Sequence, residues 1–152
     1  MKRLRGRRSD RRSERPARLI EPIPIANHGA QDGLAAQHQQ LDRFVEEIAL
    51  ALERGDQPRA DEVMRWFCSA LEAHFTVEEE IVFAAVVGLD PTKEDAFREL
   101  REEHAHFRLH LPQVGRAIET RDPRVGLEVL ERFAEQLRAH ERREEQLLRT
   151  RG

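Results

Sequence analysis

The sequence predicts an all-α protein: an up-down-up-down antiparallel four-helix bundle with a disordered basic N-terminal tail. Three observations predict it. Four long segments carry apolar residues at steps of three or four. Helix-ending glycines and Asp-Pro pairs separate those segments. No stretch alternates apolar and polar residues as a half-buried strand would.

Residues 1–18 hold nine basic and two acidic residues, a net of +7, and almost no apolar side chains. Such a segment cannot bury enough apolar surface to offset its ordering entropy, and it reads as disordered. Residues 19–26, Leu-Ile-Glu-Pro-Ile-Pro-Ile-Ala, are kept extended by Pro22 and Pro24. Residues 1–26 are therefore taken as a tail and residues 27–152 as the bundle.

The first helix is expected over 31–54, closed by Gly55-Asp56-Gln57-Pro58. The second runs over 59–87 and ends at Gly88-Leu89-Asp90-Pro91. Asp90 is an N-cap with Pro91 at the first helical position of the third helix, 91–119. Asp122-Pro123 repeats the device before the fourth, 123–149. Pro112 lies inside the third helix and is expected to kink or split it.

Each helix has one apolar stripe. The first reads Leu34, His38, Leu41, Val45, Ile48, Leu52, and the second Met64, Phe67, Leu71, His74, Glu78, Ile81, Ala85. The third reads Phe97, Leu100, His104, Phe107, Leu111, Val114, Ile118, and the fourth Leu130, Phe133, Leu137, His140, Glu144, Leu147. Four such stripes, joined by short turns, bury one another in a bundle.

Composition excludes several classes. One Cys cannot form an internal disulfide or hold a zinc finger or iron–sulfur cluster, and it fits a reducing, cytoplasmic setting. Zero Tyr excludes a mechanism resting on a tyrosine of this chain. No apolar run approaches the ~18 residues of a membrane span, and no apolar segment of a secretory signal follows the basic N-terminus. Beyond residue 18 the chain has 17 bases against 27 acids, a net of −10. The tail could meet nucleic acid or acidic lipid through counterion release, but it has no aromatics and no recognition fold, so nucleic acid is not an expected partner.

The stripes hold the chemistry. A carboxylate in an apolar core is costly unless it is paired or metal-bound. Glu78 and Glu144 each follow a histidine by four residues, as His74-Phe-Thr-Val-Glu78 and His140-Glu-Arg-Arg-Glu144. That spacing puts both side chains on one face, about 6 Å apart. Imidazole plus carboxylate without thiolate suits iron, manganese or zinc. At 1.5 Å per residue, His38, Glu78, His104 and Glu144 fall in one zone near one end of the bundle, within about 12 Å of each other.

The four pieces together resemble the hemerythrin-like, HHE cation-binding domains, over about residues 28–149. They are Ala-Ala-Gln-His38-Gln-Gln-Leu, Ala-His74-Phe-Thr-Val-Glu78-Glu-Glu-Ile-Val-Phe, Arg-Glu-Glu-His104-Ala-His-Phe and Ala-His140-Glu-Arg-Arg-Glu144-Glu. The resemblance implies a non-haem di-iron centre, two iron ions bridged by carboxylates and by an oxo or hydroxo group. It implies metal ligands His38, His74, Glu78, His104, His140 and Glu144, with Glu78 and Glu144 bridging. Oxygen carriers of this family have a further histidine where this chain has Leu100, so reversible oxygen transport is the less expected role. His28, Asp42, His106 or His110 could supply a further ligand, or water could.

The remaining residues have plainer readings. His106 and His110 lie off the stripe and read as surface residues, although their i,i+4 spacing could bind a metal as a pair. His28 reads as loop, and Glu79, Glu80 and Glu145 as solvated charges. Cys68 reads as a small buried side chain, and Trp66 sits at the core rim. The expected function is a metal-binding protein that binds, senses or scavenges dioxygen, peroxide or nitric oxide, or handles iron. The alternatives are an enzyme decomposing peroxide and a metal-free helical interaction module.

Overall fold

A computed structural model describes residues 29–149, with side chains described from residue 33 onward. The expectations for the basic tail, for the segment 19–26 and for His28 lie outside the described residues. The described chain forms α1 (Gly29–Glu53), α2 (Gln57–Val77), a π-helical turn (Glu78–Val82), α3 (Phe83–Leu89), a 3-10 turn (Pro91–Lys93), α4 (Glu94–Glu119) and α5 (Pro123–Arg149). No strand occurs among the described residues. None of the described helices is long and apolar enough to cross a membrane.

Because the π turn joins α2 to α3 without a break, the described residues form four long helical segments. Packing closes them into a bundle: α1 lies against α2 and α5, and α4 against α2 and α5. Glycine occupies two of the tight places. Gly55, with φ of 69°, ends α1. Its N–H donates to the Leu52 carbonyl, and the Asp56 N–H donates to the Ala51 carbonyl, so the last turn of α1 is satisfied. At Gly126 of α5, an added Cβ would lie 3.2 Å from Leu52 Cδ1 of α1, so a side chain there would require Leu52 to give way. Asp56, Asp90 and Asp122 accept hydrogen bonds from the backbone N–H of Arg59, Thr92 and Arg124, capping the helices they precede.

One expectation is narrowed, since of the kink or split expected at Pro112 the split does not occur, and one is corrected. α4 runs unbroken through Pro112, so it is not split. Pro112 lies on the exposed side of α4. The second helix departs more. The Phe83 N–H donates to the Glu78 carbonyl five residues back. This extra residue in the turn rotates the chain beyond it by about 100°. Ile81 and Ala85, expected in the stripe, are exposed, while Val82 and Phe83 are buried in their place. The inward face has moved on by one residue just after Glu78.

The core falls into two apolar clusters. The larger includes Leu41, Ile48, Val63, Phe67, Leu71, Phe75, Phe107, Leu130, Phe133 and Leu137. The smaller holds Leu34, Val82, Phe83, Phe97 and Leu100. Between them along each helix sit the buried polar residues His38, His74, Glu78, His104, His140 and Glu144.

The shifted register has a direct test in urea denaturation. Phe83→Ala is expected to cost about 3–5 kcal/mol, and Ile81→Ala about 0.5 kcal/mol or less. An uninterrupted helix would make Ile81 the costly position instead.

Candidate metal centre

The six histidines and glutamates of the stripes meet in one buried place. His38 comes from α1, His74 from α2, Glu78 from the π turn, His104 from α4, and His140 and Glu144 from α5. None is more than 4 % exposed. Two groups have donor atoms within 4.8 Å of one another: His38, His74, Glu78 and Glu144 in one, and His104, His140 and Glu144 in the other. Either group could hold a metal ion.

The internal geometry pairs the imidazoles. His38 Nε2 and His74 Nε2 are 3.2 Å apart, and His104 Nε2 and His140 Nε2 are 3.0 Å apart. The two carboxylates lie between the pairs. Glu78 Oε1 is 2.6 Å from His74 Nε2 and 3.7 Å from His104 Nε2. Glu144 reaches His38 Nε2 with Oε1 at 3.9 Å and His140 Nε2 with Oε2 at 3.4 Å. Each carboxylate thus touches one histidine of each pair.

Every Nδ1 is engaged from outside the cluster. His38 Nδ1 donates to Glu145 Oε1 at 3.1 Å, and His74 Nδ1 to Gln37 Oε1 at 2.6 Å. His104 Nδ1 donates to Glu79 Oε1 at 3.0 Å, and His140 Nδ1 to Glu103 Oε2 at 2.5 Å. These partners accept, so each Nδ1 carries the proton and each Nε2 presents a lone pair inward. The four supports form a ring in which each helical segment holds the histidine of the next: α1 to α2, the π turn after α2 to α4, α4 to α5, α5 to α1. Two supports are themselves clamped. Arg108 donates to both Glu79 oxygens at 2.7 and 3.1 Å, and Arg143 pairs with Glu103.

With both carboxylates ionised, the arrangement would be costly without a cation. All four oxygens of Glu78 and Glu144 are buried and accept no hydrogen bond, and the 2.6 Å contact to His74 is not aligned as one. In each pair two nitrogen lone pairs face each other at about contact distance. Lone pairs and carboxylate oxygens converging on one dry volume are what a cation requires, and an all-nitrogen-and-oxygen set suits iron, manganese or zinc. The residues present therefore fit a metal.

Electrostatics agree. Burial pushes the Glu78 carboxyl up to about 8. Burial, and then the neighbouring Glu78, push Glu144 well above the usual carboxylate range. Burial lowers His74 to about 4, and burial with the paired imidazole lowers His38 to about 4 and His104 to about 3. At neutral pH His38, His74 and His104 are thus uncharged donors, and the carboxyls hold protons that an incoming cation would displace. Outside the cluster, burial raises Glu79 but the bonds from Arg108 and His104 outweigh it, so Glu79 stays below its ordinary value and ionised.

Of the candidate further ligands, Asp42 instead accepts from Arg138 Nε at 3.3 Å, and His106 and His110 are exposed on α4. Leu100 is buried in the smaller apolar cluster. The reading of Glu79 and Glu145 as solvated charges is corrected, since each supports a histidine. Glu80 is exposed. Sequence reading also missed Gln37, Glu103 and Glu141. Gln37, Glu79, Glu103 and Glu145 all sit next in sequence to a residue of the cluster, and that adjacency is the signal: one residue turns a helix about 100° toward its neighbour. Glu141 is 5 % exposed with Oε1 unpartnered. Burial, then Asp42, Glu144 and Glu145, push its carboxyl up to about 9. It continues the buried spacing Ala134, Leu137, Glu141, Glu144.

A helical bundle with two buried His/Glu groups able to hold a metal defines the class. A family model for the hemerythrin HHE cation-binding domain matches residues 30–151, and the chain belongs to that family. No curated protein and no solved structure matches the chain.

Two outcomes follow from this geometry. Glu79→Gln and Glu103→Gln keep the shape of the support but remove its charge, and each is expected to weaken metal binding about 10–100-fold in a chelator competition. Unchanged affinity would count against the role of the ring. The second outcome concerns pH. From about pH 6.5 to 8, the unfolded chain has its glutamates ionised while the native metal-free chain keeps protons on Glu78 and Glu141. The native state binds more protons there, so its stability falls as pH rises. The melting temperature of the metal-free protein should therefore drop between pH 6.5 and 8.5, and bound metal should reduce that drop by taking the place of the Glu78 and Glu144 protons.

Proposed function

We propose that this chain holds two iron ions, one at His38 and His74 and one at His104 and His140, with Glu78 and Glu144 shared between them. On this reading the helices run up-down-up-down and antiparallel, and the protein works in the cytoplasm. It binds, senses or scavenges a small ligand such as dioxygen, peroxide or nitric oxide, or handles iron. The observation that carries the reading is the pair of buried carboxylates, each touching one histidine of either pair and none of their oxygens hydrogen-bonded. Zinc or manganese would satisfy the same donors.

Iron in such a site supplies electron transfer and reversible binding to a small ligand. The chain's own residues do the rest. The ring of Nδ1 acceptors aims the four imidazoles. Phe75 stacks on His104 with ring centroids 3.9 Å apart, and Phe83 stacks at 5.6 Å, fixing that ring between apolar faces. Leu34, Val82, Phe83, Phe97 and Leu100 keep water from one side of the site, and the larger cluster from the other. A small uncharged ligand passes such walls more readily than an ion does. Leu100 leaves each pair with the same number of imidazoles, which favours sensing or scavenging over reversible oxygen carriage.

A metal-free interaction module would leave the facing nitrogens and orphaned carboxylates without a cause. Purification from iron-supplied cells, followed by metal analysis, separates the readings. About two iron ions per chain are expected, as in other di-metal helical bundles. Glu78→Ala and Glu144→Ala should strip iron, and His110→Ala should not. A chain that takes up no metal after iron reconstitution would contradict the proposal, and loss of iron in His110→Ala would contradict the ligand set.

A further inference from the structure

His106 and His110 take no part in the buried centre. They lie four residues apart on α4, and both are exposed. Two residues turn a helix by about 200°, so His106 faces away from the direction of His104. The two exposed rings face each other, with centroids 6.2 Å apart and planes 14° from parallel.

Two imidazoles at i and i+4 on one helical face are the chelating unit of helix-borne zinc motifs. An ion bonded to both at about 2.0–2.1 Å in tetrahedral geometry holds their nitrogens about 3.4 Å apart. Both rings are exposed, and rotation about their χ2 torsions is the movement that would bring the nitrogens to that spacing. The charges around the pair suit a cation. Glu102, one turn before His106, is exposed on the same side. Between Arg101 and Arg116 the sole base of α4 is Arg108. Arg108 is turned to α2, where it donates to Glu72 and Glu79. α4 also runs unbroken through Pro112, so the spacing of the pair is held by regular helix.

We propose that His106 and His110 form a second, solvent-facing metal site that takes one late first-row divalent ion, with water at its remaining positions. For two imidazole donors, affinity follows the general order for divalent metals, so Cu2+ binds most strongly and Fe2+ weakly. The two sites differ in chemistry: four imidazoles and two carboxylates, all buried, in the centre, and two exposed imidazoles with water at the surface pair. Nothing in this pair depends on the buried centre, with which it shares no residue.

The test uses the full chain, loaded with iron and then titrated with Cu2+ under electron paramagnetic resonance. One copper ion per chain with hyperfine splitting from two nitrogens is expected. His106→Gln and His110→Gln should each remove the two-nitrogen signal, and the double variant should remove the copper ion while iron content stays at the parent value. Absence of copper uptake by the parent, or a two-nitrogen signal that survives in the double variant, would overturn the proposal. If the protein holds no iron, the di-iron reading fails by itself. The surface pair is then judged by total copper: a drop of one ion per chain from parent to double variant supports it, and no drop refutes it.

Discussion

Two carboxylates buried between two pairs of imidazoles are the constraint on which the rest of the structure depends. Glu78 and Glu144 are fully excluded from water, and their oxygens accept no hydrogen bond. Left ionised and alone they would cost several kcal/mol each. Protonated, they can donate one hydrogen bond each, which leaves lone pairs among the four imidazole nitrogens unmatched. On the proposed reading, a cation at each pair would resolve both difficulties with the same atoms: it would accept the lone pairs, replace the protons and neutralise the carboxylates.

Several local features follow from that constraint. Each histidine must present Nε2 inward, so each needs an acceptor at Nδ1, and Gln37, Glu79, Glu103 and Glu145 provide them. Supplying each acceptor from the adjacent helix ties the orientation of every imidazole to the packing of two helices. The π turn serves the same end. It begins at Glu78 and re-aims the chain so that Val82 and Phe83, rather than Ile81 and Ala85, close the apolar side of the site. π turns inside α-helices often mark functional positions, and here the turn lets one helical segment satisfy both a ligand register and a packing register. Large aromatic side chains then fix the site from both sides, with Phe75 and Phe83 against His104.

Much of this was legible in the sequence because helical periodicity reports burial. The stripes of α1, α4 and α5 placed His38, His104, His140 and Glu144 among core residues, and the bundle buries all four. The i,i+4 pairs on the second and fourth helical segments announced Glu78 and Glu144 as buried acids. Three things were not legible. The π turn has no breaker residue in Glu-Glu-Glu-Ile-Val, so nothing in the composition marks where the period slips. The unbroken α4 depends on Pro112 facing solvent, which is a tertiary fact. The supports were hidden because Glu79 and Glu145 sit in runs of acids, where one residue supporting a histidine looks the same as its solvated neighbours. Adjacency to a ligand, turned toward the next helix, separates them once the helix order around the bundle is known.

Anomalous diffraction at the iron edge, from crystals of the iron-loaded protein, measures most directly where cations sit. Two peaks are expected, one at bonding distance from Nε2 of His38 and His74, the other from Nε2 of His104 and His140. Glu78 and Glu144 oxygens should lie within bonding reach of both. A single peak, peaks that avoid either carboxylate, or no peak inside the bundle would contradict a centre shared by Glu78 and Glu144.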